Sequence, residues 1–492
     1  ELPKMKMSGM DTVAAPIQYD IHVPSDHPSG LYWFHPHAHG LSLNQVAHGL
    51  GGIITVGAVS DYVQLYGQHV RHLILKDMQI RKDGSVLSQE DARFCTTFPF
   101  PSEPVRNGFC PGTLQPTGAD YRGGNWFFSV NGQIFPTITV GDHGDIWRIT
   151  NASGSATYLL KLIDDATRKP IPFRVVATDG VSTAIPMGMP IPGAPAASTP
   201  KACEDQETSG RDSICTTQLL VMPSSRVEVF VPSHFGSAKT ATLIQASYGT
   251  GPGGDSWPTV KLAKVVFSST PVTQASEQSV VPKVTSWKAP IDEPHQAVVK
   301  TASATPGTGD ASCSALAPGH RRRIFFGIPK NSLHGLGYEE VDEKGNPVPG
   351  TFRDIVPFEH GSTTVCLPLG PGGTPVTETW ELINVSSEDH NFHMHQSRFR
   401  VISDAGGGDS NLYMDSIPLP HGSWGCTGTV QRWRSGACTV KPVVVAIRFT
   451  EAGDFAYHCH ILSHGDAGMM AHIRVVTAEG KTASSDSQHS GK

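Results

Sequence analysis

The chain has 492 residues, of which 17% are charged, and its formal net charge is -6. An acidic balance argues against a nucleic-acid partner, and no apolar run is long enough for a membrane span. The length fits two or three domains, and the 51 glycines and 38 prolines favour a turn-rich, all-β protein over a helical one.

The pattern of the first region, residues 1–60, predicts the C-terminal part of a β-sandwich. Its aromatic, strand-like segment 31–34 is followed by His35 and His37. In an extended chain these two imidazoles lie on the same face. The chain begins with Glu1 and shows no signal sequence, so we expect it to have been processed.

A second sandwich is predicted for residues 61–285. A strand-like segment at 72–80 leads into a Pro- and Gly-rich loop at 82–122. Further strands then alternate with turns, of which Asn131-Gly132 is typical of a β-hairpin. Strands that alternate with turns in this way are typical of a β-sandwich.

A third sandwich is predicted for residues 286–476, and we expect the polar tail at 477–492 to be disordered. Within this third sandwich, the segment HNFHMH is strand-like. His393 and His395 then share one face, whereas His390 lies on the opposite face. The segment therefore offers imidazoles to two different sites.

The most informative segment contains Cys459 between His458 and His460, with His464 and Met469 shortly after them. If the strand-like segment before the cysteine continues through it, the thiol faces one way and the flanking imidazoles face the other. A metal on the cysteine would then lie one backbone layer from a metal on the histidines. This arrangement predicts electron transfer between two sites.

The donor types indicate which metal is bound. Thiolate, imidazole and thioether together form the ligand set of a blue-copper site, and His390 can supply the imidazole that the cysteine segment lacks. An isolated His-x-His is more often structural or a zinc ligand. Three such elements with matching parity instead favour copper.

These segments resemble one known family. HCHILSHGDAGMM, together with HNFHMH and WFHPHAHG, is similar to the motifs of multicopper oxidases of the laccase and copper-efflux-oxidase type. The resemblance extends from about Gly30 to Val476 and implies tandem cupredoxin-like Greek-key β-sandwiches, the first of them incomplete here.

The resemblance also implies one type-1 copper, one type-2 copper and a type-3 pair. His390, Cys459 and His464, with Met469 as axial ligand, would hold the type-1 copper, and His393 would bind the type-2 copper. Five histidines would serve the type-3 pair: His35, His37, His395, His458 and His460. Cys459 and the two histidines beside it would also carry electrons between the sites.

The family's first motif, His-x-His-Gly, has no counterpart here. The letters of His37-Ala38-His39-Gly40 fit it, but their surroundings resemble the second motif, so His39 and His48 are predicted to be structural or surface residues. The type-2 and type-3 ligand sets are then incomplete within this chain. We expect an N-terminal fragment of the same precursor to supply the missing motif; the alternative is a naturally incomplete protein or a piece of the gene product.

The implied activity is one-electron oxidation of a small phenolic or aromatic-amine donor, coupled to reduction of dioxygen to water. Asp466 is the candidate proton donor, with a loop-capping role as the alternative, because Gly465 occupies the position directly after the type-1 histidine where many bacterial relatives carry Glu. Two other functions stay open. One is oxidation of Cu(I), Fe(II) or Mn(II), and the other is electron transfer by a protein with only the type-1 site.

The cysteines bear on the compartment. The chain has nine, and removal of the predicted copper ligand Cys459 leaves an even number. Four disulfides would indicate an extracytoplasmic, secreted or periplasmic protein, whereas reduced buried thiols are the alternative. Proximity in sequence suggests the pairs Cys95–Cys110, Cys203–Cys215, Cys313–Cys366 and Cys426–Cys438.

Overall fold

The computed structural model describes residues 4–5, 13–14, 21, 23, 27–63, 65, 67–87, 90–95, 105–114, 118–183, 214–268, 313–328, 334–358, 365–403 and 413–477. Almost all regular elements in these ranges are strands, which confirms the predicted all-β class. None of the helices found there is long and apolar enough to cross a membrane. The predicted tail beyond residue 477 lies outside the described residues. The α-helices are Ser42–Ala47, Val430–Arg434 and Leu462–Asp466, and the 3-10 turns are Val59–Asp61, Ala92–Phe94 and Pro371–Gly373.

Two sheets between residues 69 and 266 pack face to face. Phe128 from one and Tyr158 from the other lie with ring centroids 6.3 Å apart. In spatial order, the strands of the first, sheet A, are Val181–Ser182, Phe173–Thr178, Arg226–Val231, Asp145–Asn151, His69–Ile80, Asn125–Val130 and Phe109–Pro111, with Ile214–Thr216 also paired to Phe173–Thr178. Those of sheet B are Pro170–Ile171, Tyr158–Asp164, Thr240–Ala246, Val260–Val266 and Thr137–Thr139, with Leu219–Val221 also paired to Tyr158–Asp164.

A second pair of sheets lies between residues 321 and 476. The buried rings of Trp380 in one sheet and Tyr457 in the other are 5.4 Å apart. The strands of sheet C, in spatial order, are Arg353–Val356, Gly335–Val341, Arg321–Gly327, Val376–Asn384, Val443–Phe449, Phe399–Ser403 and Tyr413–Met414. Those of sheet D are Val365–Pro368, Met470–Val476, Gly453–Cys459, His390–Met394 and Ser416–Leu419.

The remaining strands form two-stranded sheets, and one of them leads to the first pair of histidines. In this hairpin Gly30–Phe34 pairs with Gly52–Val56. It packs on sheet A so closely that a Cβ atom on Gly30 would lie 2.6 Å from the carbonyl oxygen of Gly180. Only glycine permits this approach of two backbones. The other hairpins are Lys4–Met5 with Val13–Ala14, and Tyr248–Gly249 with Ser256–Trp257.

Three of the disulfides predicted from proximity are confirmed: Cys95–Cys110, Cys313–Cys366 and Cys426–Cys438. Cys215 is also disulfide-bonded, but its predicted partner Cys203 lies outside the described residues. Cys459 is the free cysteine of the described part of the chain, and it is buried. Each observed bridge closes a short or medium loop, so sequence proximity was a sound guide here.

Candidate metal centre

The strand Gly453–Cys459 lies in the middle of sheet D, between His390–Met394 and Met470–Val476. Its register places Cys459 opposite Phe392, and His458 opposite His393. Successive side chains of a strand point to opposite faces, so the thiol and the imidazole before it face apart. The strand ends at Cys459, and a short helix follows, Leu462–Asp466.

On one face, Cys459 meets His390 and His464. Its Sγ atom lies 3.9 Å from Nδ1 of His390 and 3.7 Å from Nδ1 of His464, and the two Nδ1 atoms are 3.1 Å apart. None of the three residues is more than 7% exposed. The short helix brings His464 back towards the end of its own strand. We refer to these three residues as the cysteine group.

Met469 follows the helix and is fully buried. Its N–H donates to the carbonyl oxygen of His464 at 2.9 Å, and its own carbonyl accepts from the N–H of Cys459 at 3.0 Å. The backbone therefore holds the predicted axial ligand next to two members of the cysteine group.

The histidines that flank the cysteine belong to two further groups. Nε2 of His458 lies 3.1 Å from Nε2 of His37 and 3.2 Å from Nε2 of His395. His458 also forms a group with His393 and His460, in which one ring nitrogen of each residue lies within 4.8 Å of those of the other two. We refer to these two sets, which share His458, as the histidine groups.

His35 lies beside the histidine groups. Its ring centroid is 5.0 Å from that of His460 and 5.5 Å from that of His37, and it stacks on Trp33 at 4.4 Å. Its Nδ1 lies 2.9 Å from the carbonyl oxygen of Pro36. Because a carbonyl can only accept, Nδ1 carries the proton in this hydrogen bond and Nε2 is left for a ligand. Two other histidines of this segment are exposed and lie outside the groups: His39 and His48.

The residues present fit bound metal. Both ring nitrogens of the fully buried His460 lack a hydrogen-bond partner, which costs about 1–3 kcal/mol for an unsatisfied buried polar group. A metal ion would bind such a nitrogen and remove this penalty. The thiolate, imidazole and thioether donors of the cysteine group and Met469 suit copper.

The electrostatics of the site also suit metal binding. Burial lowers the pKa of His35 and of His393 to about 4, and neighbouring charges act on both. The resulting neutral imidazole is the form that binds metal. Burial likewise raises the pKa of the Cys459 thiol to about 12, and a metal cation would act in the opposite direction. Five more histidines have a pKa well below the usual value, mainly through burial: His390, His395, His458, His460 and His464.

Three side chains that the sequence analysis did not single out contact the cysteine group from outside. Ser386 Oγ lies 2.8 Å from Nε2 of His390. Glu388 Oε1 lies 3.8 Å from Nε2 of His464 and 3.1 Å from Nε2 of His334, whose ring stacks on His464 at 4.2 Å. Such contacts fix the tautomer and orientation of metal-binding histidines. No local pattern in the sequence marks these residues, because Ser386 and Glu388 lie in a loop and His334 is far along the chain from His464.

A buried ion pair, also missed from the sequence, supports the histidine groups. Nδ1 of His393 donates to the backbone carbonyl of Asp415 at 2.7 Å, which leaves Nε2 for a ligand. The carboxylate of Asp415 is bound by Arg226, which also donates to the carbonyl oxygen of Leu31 at 3.2 Å. One arginine of sheet A thus joins the residue that orients His393 to the strand that leads to His35.

Asp466, the predicted proton donor, contacts the segment that follows His37. Its Oδ1 accepts from the N–H of Gly40 at 3.1 Å, and its Oδ2 accepts from the N–H of Leu43 at 2.8 Å. These hydrogen bonds are those of a capping carboxylate at the start of the helix Ser42–Ala47. They match the capping role considered as the alternative, and proton donation stays a prediction.

Comparison with known proteins identifies the family. The family model described as "Multicopper oxidase" matches residues 371–479, which include all of the cysteine group. The chain is 22% identical over 502 residues to multicopper oxidase LPR2 of Arabidopsis thaliana, covering 92% of this chain and 68% of that protein. It is 23% identical over 461 residues to the laccase of Bacillus subtilis (strain 168), covering 91% and 71%. Residues 371–479 belong to the multicopper oxidase family, and the chain resembles multicopper oxidases over most of its length.

Solved structures show that the chain has the fold of multicopper oxidases. The McoA multicopper oxidase of Aquifex aeolicus matches with a TM-score of 0.55 at 17% identity, over 91% of this chain and 76% of that one. A multicopper oxidase of Campylobacter jejuni, described as a metallo-oxidase, matches with a TM-score of 0.55 at 19% identity, over 92% and 73%. The fold is that of cupredoxin-like sandwiches, and the family match of residues 371–479 supports a copper-dependent oxidoreductase.

Proposed function

We propose that this multicopper oxidase is laccase-like. It takes single electrons from small phenolic or aromatic-amine donors at the cysteine group and passes them to the histidine groups, where dioxygen is reduced to water. The observation that supports this most strongly is that Cys459 is flanked by His458 and His460, both members of the histidine groups. An electron at the thiolate has a short covalent route through the backbone to either one.

Each ligand has a proposed role. His390, Cys459, His464 and Met469 would hold a type-1 copper, and His393 would bind a type-2 copper. Bound copper would supply the one-electron redox chemistry and the binding of dioxygen. The chain's own part is to keep the imidazoles neutral and oriented and, apart from that of the exposed His37, largely shielded from water. Five histidines would hold the type-3 pair: His35, His37, His395, His458 and His460.

The substitution Cys459→Ser tests this function. We expect it to abolish the blue absorbance of the copper-loaded protein and its donor-dependent oxygen uptake, while copper stays in the histidine groups. His48→Ala, at an exposed histidine outside the groups, should change neither signal. Retention of the blue colour in Cys459→Ser would exclude the type-1 assignment. A blue wild-type protein that consumes no oxygen would instead be an electron carrier.

A second candidate function is oxidation of a metal ion such as Fe(II), Cu(I) or Mn(II). It is supported by His334, Glu388 and His464, whose ligand atoms lie within 4.8 Å of one another on the outer side of the cysteine group. Burial and then the charge of Glu388 raise the pKa of Asp255 to about 6, so a second carboxyl group lies near. Glu388→Gln should lower Fe(II)-dependent oxygen uptake by about tenfold. An unchanged rate would remove this candidate.

We also propose that an N-terminal fragment of the same precursor completes the histidine groups. The strands Gly30–Phe34 and Gly52–Val56 pair only with each other among the described residues, and Phe34 is 55% exposed. Open edges and exposed apolar side chains favour pairing with another segment. A denaturing mass spectrum of the active preparation tests this. A second, smaller polypeptide with His-x-His-Gly would support it, and full activity from a single species starting at Glu1 would overturn it.

An extracytoplasmic location is proposed from the disulfides. Such bridges form and persist in oxidising compartments, and the chain has three among its described residues besides the bonded Cys215. Thiol titration of the unfolded, unreduced and metal-free protein should detect Cys459 alone. Reactivity at the other cysteines in freshly purified protein would contradict the proposal.

A further inference from the structure

Three ionisable side chains, none of them a proposed metal ligand, interact beside sheet A. Lys76 and Asp77 are neighbours on the strand His69–Ile80, and Glu90 lies in the segment that follows this strand. The charges of both neighbours act on the carboxyl group of Glu90. We refer to Lys76, Asp77 and Glu90 as the charge cluster. It combines one ammonium group with two carboxyl groups.

The charge cluster is shielded from water. Asp77 is 1% exposed, and Oδ1 of Asp77 and Oε2 of Glu90 are buried without a hydrogen-bond partner among the described residues. One ammonium balances only one carboxylate, so a second carboxylate would leave a net negative charge out of contact with water. Burial, and then the charge of Asp77, raise the pKa of Glu90 to about 8. At neutral pH, Glu90 therefore keeps its proton and the cluster has no net charge.

Outside the cluster, Glu90 faces polar but uncharged groups of the described residues. Tyr158 of sheet B faces both carboxyl groups, and its pKa is raised by burial and then by their charges. Ser155 and the backbone of Gly154 hydrogen-bond Glu90 and oppose the rise of its pKa. Ser155 Oγ also lies 3.1 Å from the hydroxyl oxygen of Ser463. The ammonium of the cluster is therefore the cation that an ionised Glu90 would attract.

The ammonium of Lys76 also holds the helix Ser42–Ala47. Nζ of Lys76 donates to the carbonyl oxygen of Val46 in the last turn of this helix, where the helix dipole favours a cation. The helix follows His37 closely in the sequence. A contact that fixes the end of the helix therefore also fixes the segment that carries this proposed copper ligand.

The carboxyl group of Glu90 lies close to the same helix. A Cβ atom on Gly154 would meet Oε1 of Glu90 at 3.2 Å and Cδ1 of Leu43 at 2.6 Å. Leu43 in turn packs with Leu462, the first residue of the helix Leu462–Asp466. Water that entered to hydrate an ionised Glu90 would therefore separate these packed side chains.

We propose that Glu90 is a pH-sensitive contact that holds the helix Ser42–Ala47, and with it the segment of His37, most firmly while its carboxyl group is protonated. Loss of the O–H proton to solvent leaves an unbalanced carboxylate. This carboxylate attracts the ammonium of Lys76 away from Val46 and requires water for its hydration. The helix then leaves sheet A more readily. The inference concerns how the segment is held and does not depend on which donor the protein oxidises.

Proton linkage makes this opening of the helix easier as the pH rises. In the open form water reaches Glu90, whose pKa returns to its ordinary value of 4.5, whereas in the closed form it is about 8. The closed form thus keeps a proton that the open form releases. The equilibrium constant for opening should therefore rise about tenfold per pH unit between these two values. Above about pH 8, Glu90 contributes no further change.

Hydrogen exchange in the full, copper-loaded chain measures this opening. The backbone amides of residues 42–47 are compared in wild type and Glu90→Gln at each pH, which cancels the intrinsic pH dependence of exchange. The side chain of the variant cannot ionise, so the ratio of exchange rates, wild type over variant, should rise about tenfold per pH unit from about pH 5 to about pH 8. Glu451→Gln, at an exposed carboxylate, should keep the wild-type pH dependence. A ratio that does not change with pH, or the same effect from Glu451→Gln, would overturn the proposal.

Two further measurements apply even if Glu90→Gln fails to fold. Wild-type protein at neutral pH should show the infrared C=O band of a protonated carboxyl group, and this band should disappear as the pH rises through about 8. Lys76→Met removes the cation that favours ionised Glu90, so the range in which opening becomes easier should extend above about pH 8. Absence of the band at neutral pH, or an unchanged range in Lys76→Met, would also overturn the proposal.

Discussion

The guanidinium of Arg226 makes two hydrogen bonds to the carboxylate of Asp415, at 2.9 and 2.5 Å, and both groups are largely buried. The backbone carbonyl of the same aspartate orients His393. A charge pair between sheet A and the segment leading into sheet D therefore lies directly behind the histidine groups.

Arg226→Gln should destabilise the fold by about 3–5 kcal/mol, because it leaves buried carboxylates without their cation. Urea unfolding measures the loss. The matched control is Arg474→Gln. The side chains of Arg474 and its partner Asp454 are 34% and 44% exposed, so this substitution should lower the free energy of unfolding by less than about 1 kcal/mol. Equal losses of unfolding free energy for the two substitutions would show that the buried pair stabilises the fold no more than the exposed pair does.

The pH dependence of stability should include a contribution from Asp255. Burial, then the charges of Glu388 and Asp91, raise its pKa to about 6 in the folded protein, above the unfolded value of 3.8. Folded protein thus keeps a proton that the unfolded chain releases, and stability falls as the pH rises through this window. The loss of unfolding free energy should be about 3 kcal/mol.

Asp255→Asn isolates this contribution. The variant cannot ionise at this position, so the difference in unfolding free energy between it and wild type should grow from below pH 3.8 to above pH 6. Denaturant unfolding across that range is the measurement. A difference that does not depend on pH would contradict the raised pKa.

Ser386→Ala removes the hydroxyl that bonds Nε2 of His390. Loss of such an outer contact typically weakens metal binding by about tenfold or more, and we expect this for copper in the cysteine group. Competition with a chelator, followed by the blue absorbance, measures it. Ser435→Ala, at an exposed serine, is the control. Equal loss of copper from the histidine groups would point to a general disturbance of the fold instead.

His460→Leu should separate stability from function. In copper-free protein it removes two buried nitrogens that lack hydrogen-bond partners, so the free energy of unfolding should rise by about 1–3 kcal/mol. Copper content of the histidine groups should fall at the same time. The control Phe392→Leu, at a fully buried ring in the same sheet, should destabilise, because it leaves a cavity. A copper-free His460→Leu variant less stable than wild type would contradict the prediction.

Gly30→Ala tests how the first hairpin is held. A Cβ atom there would meet the carbonyl oxygen of Gly180 at 2.6 Å, so the hairpin must shift and stability should fall by about 1–3 kcal/mol. The copper content should fall as well, since the hairpin leads to His35 and His37. Gly249→Ala, where a Cβ atom would meet no atom within 4 Å, is the control for the loss of glycine itself.

Much of the architecture around the cysteine could be predicted from local pattern. The strand-like segment before the cysteine is predicted to continue through it, and the strand Gly453–Cys459 does so. Strand parity predicts that Cys459 and His458 face apart, which follows from geometry alone. Proximity predicts the three observed disulfides correctly. In each case the information lies within a few tens of residues.

The features missed from the sequence leave no local signal in it. Arg226 and Asp415 are 189 positions apart, and a pair of that separation leaves no periodic signal in one sequence. Glu388 and Ser386 lie in a loop, where polar residues are the norm. The helix Leu462–Asp466 has only five residues, too few for a helical period to appear.

The pairing of His390–Met394 with Gly453–Cys459, which sets Phe392 opposite Cys459, has a consequence for inheritance. A slip of one residue in such a ladder moves every side chain of the strand to the other face. An inserted or deleted codon in either strand would therefore dismantle the cysteine group and the histidine groups in one event. Neither site can be lost, kept or retuned by changes in strand length without the other, so the two are transmitted as a single unit.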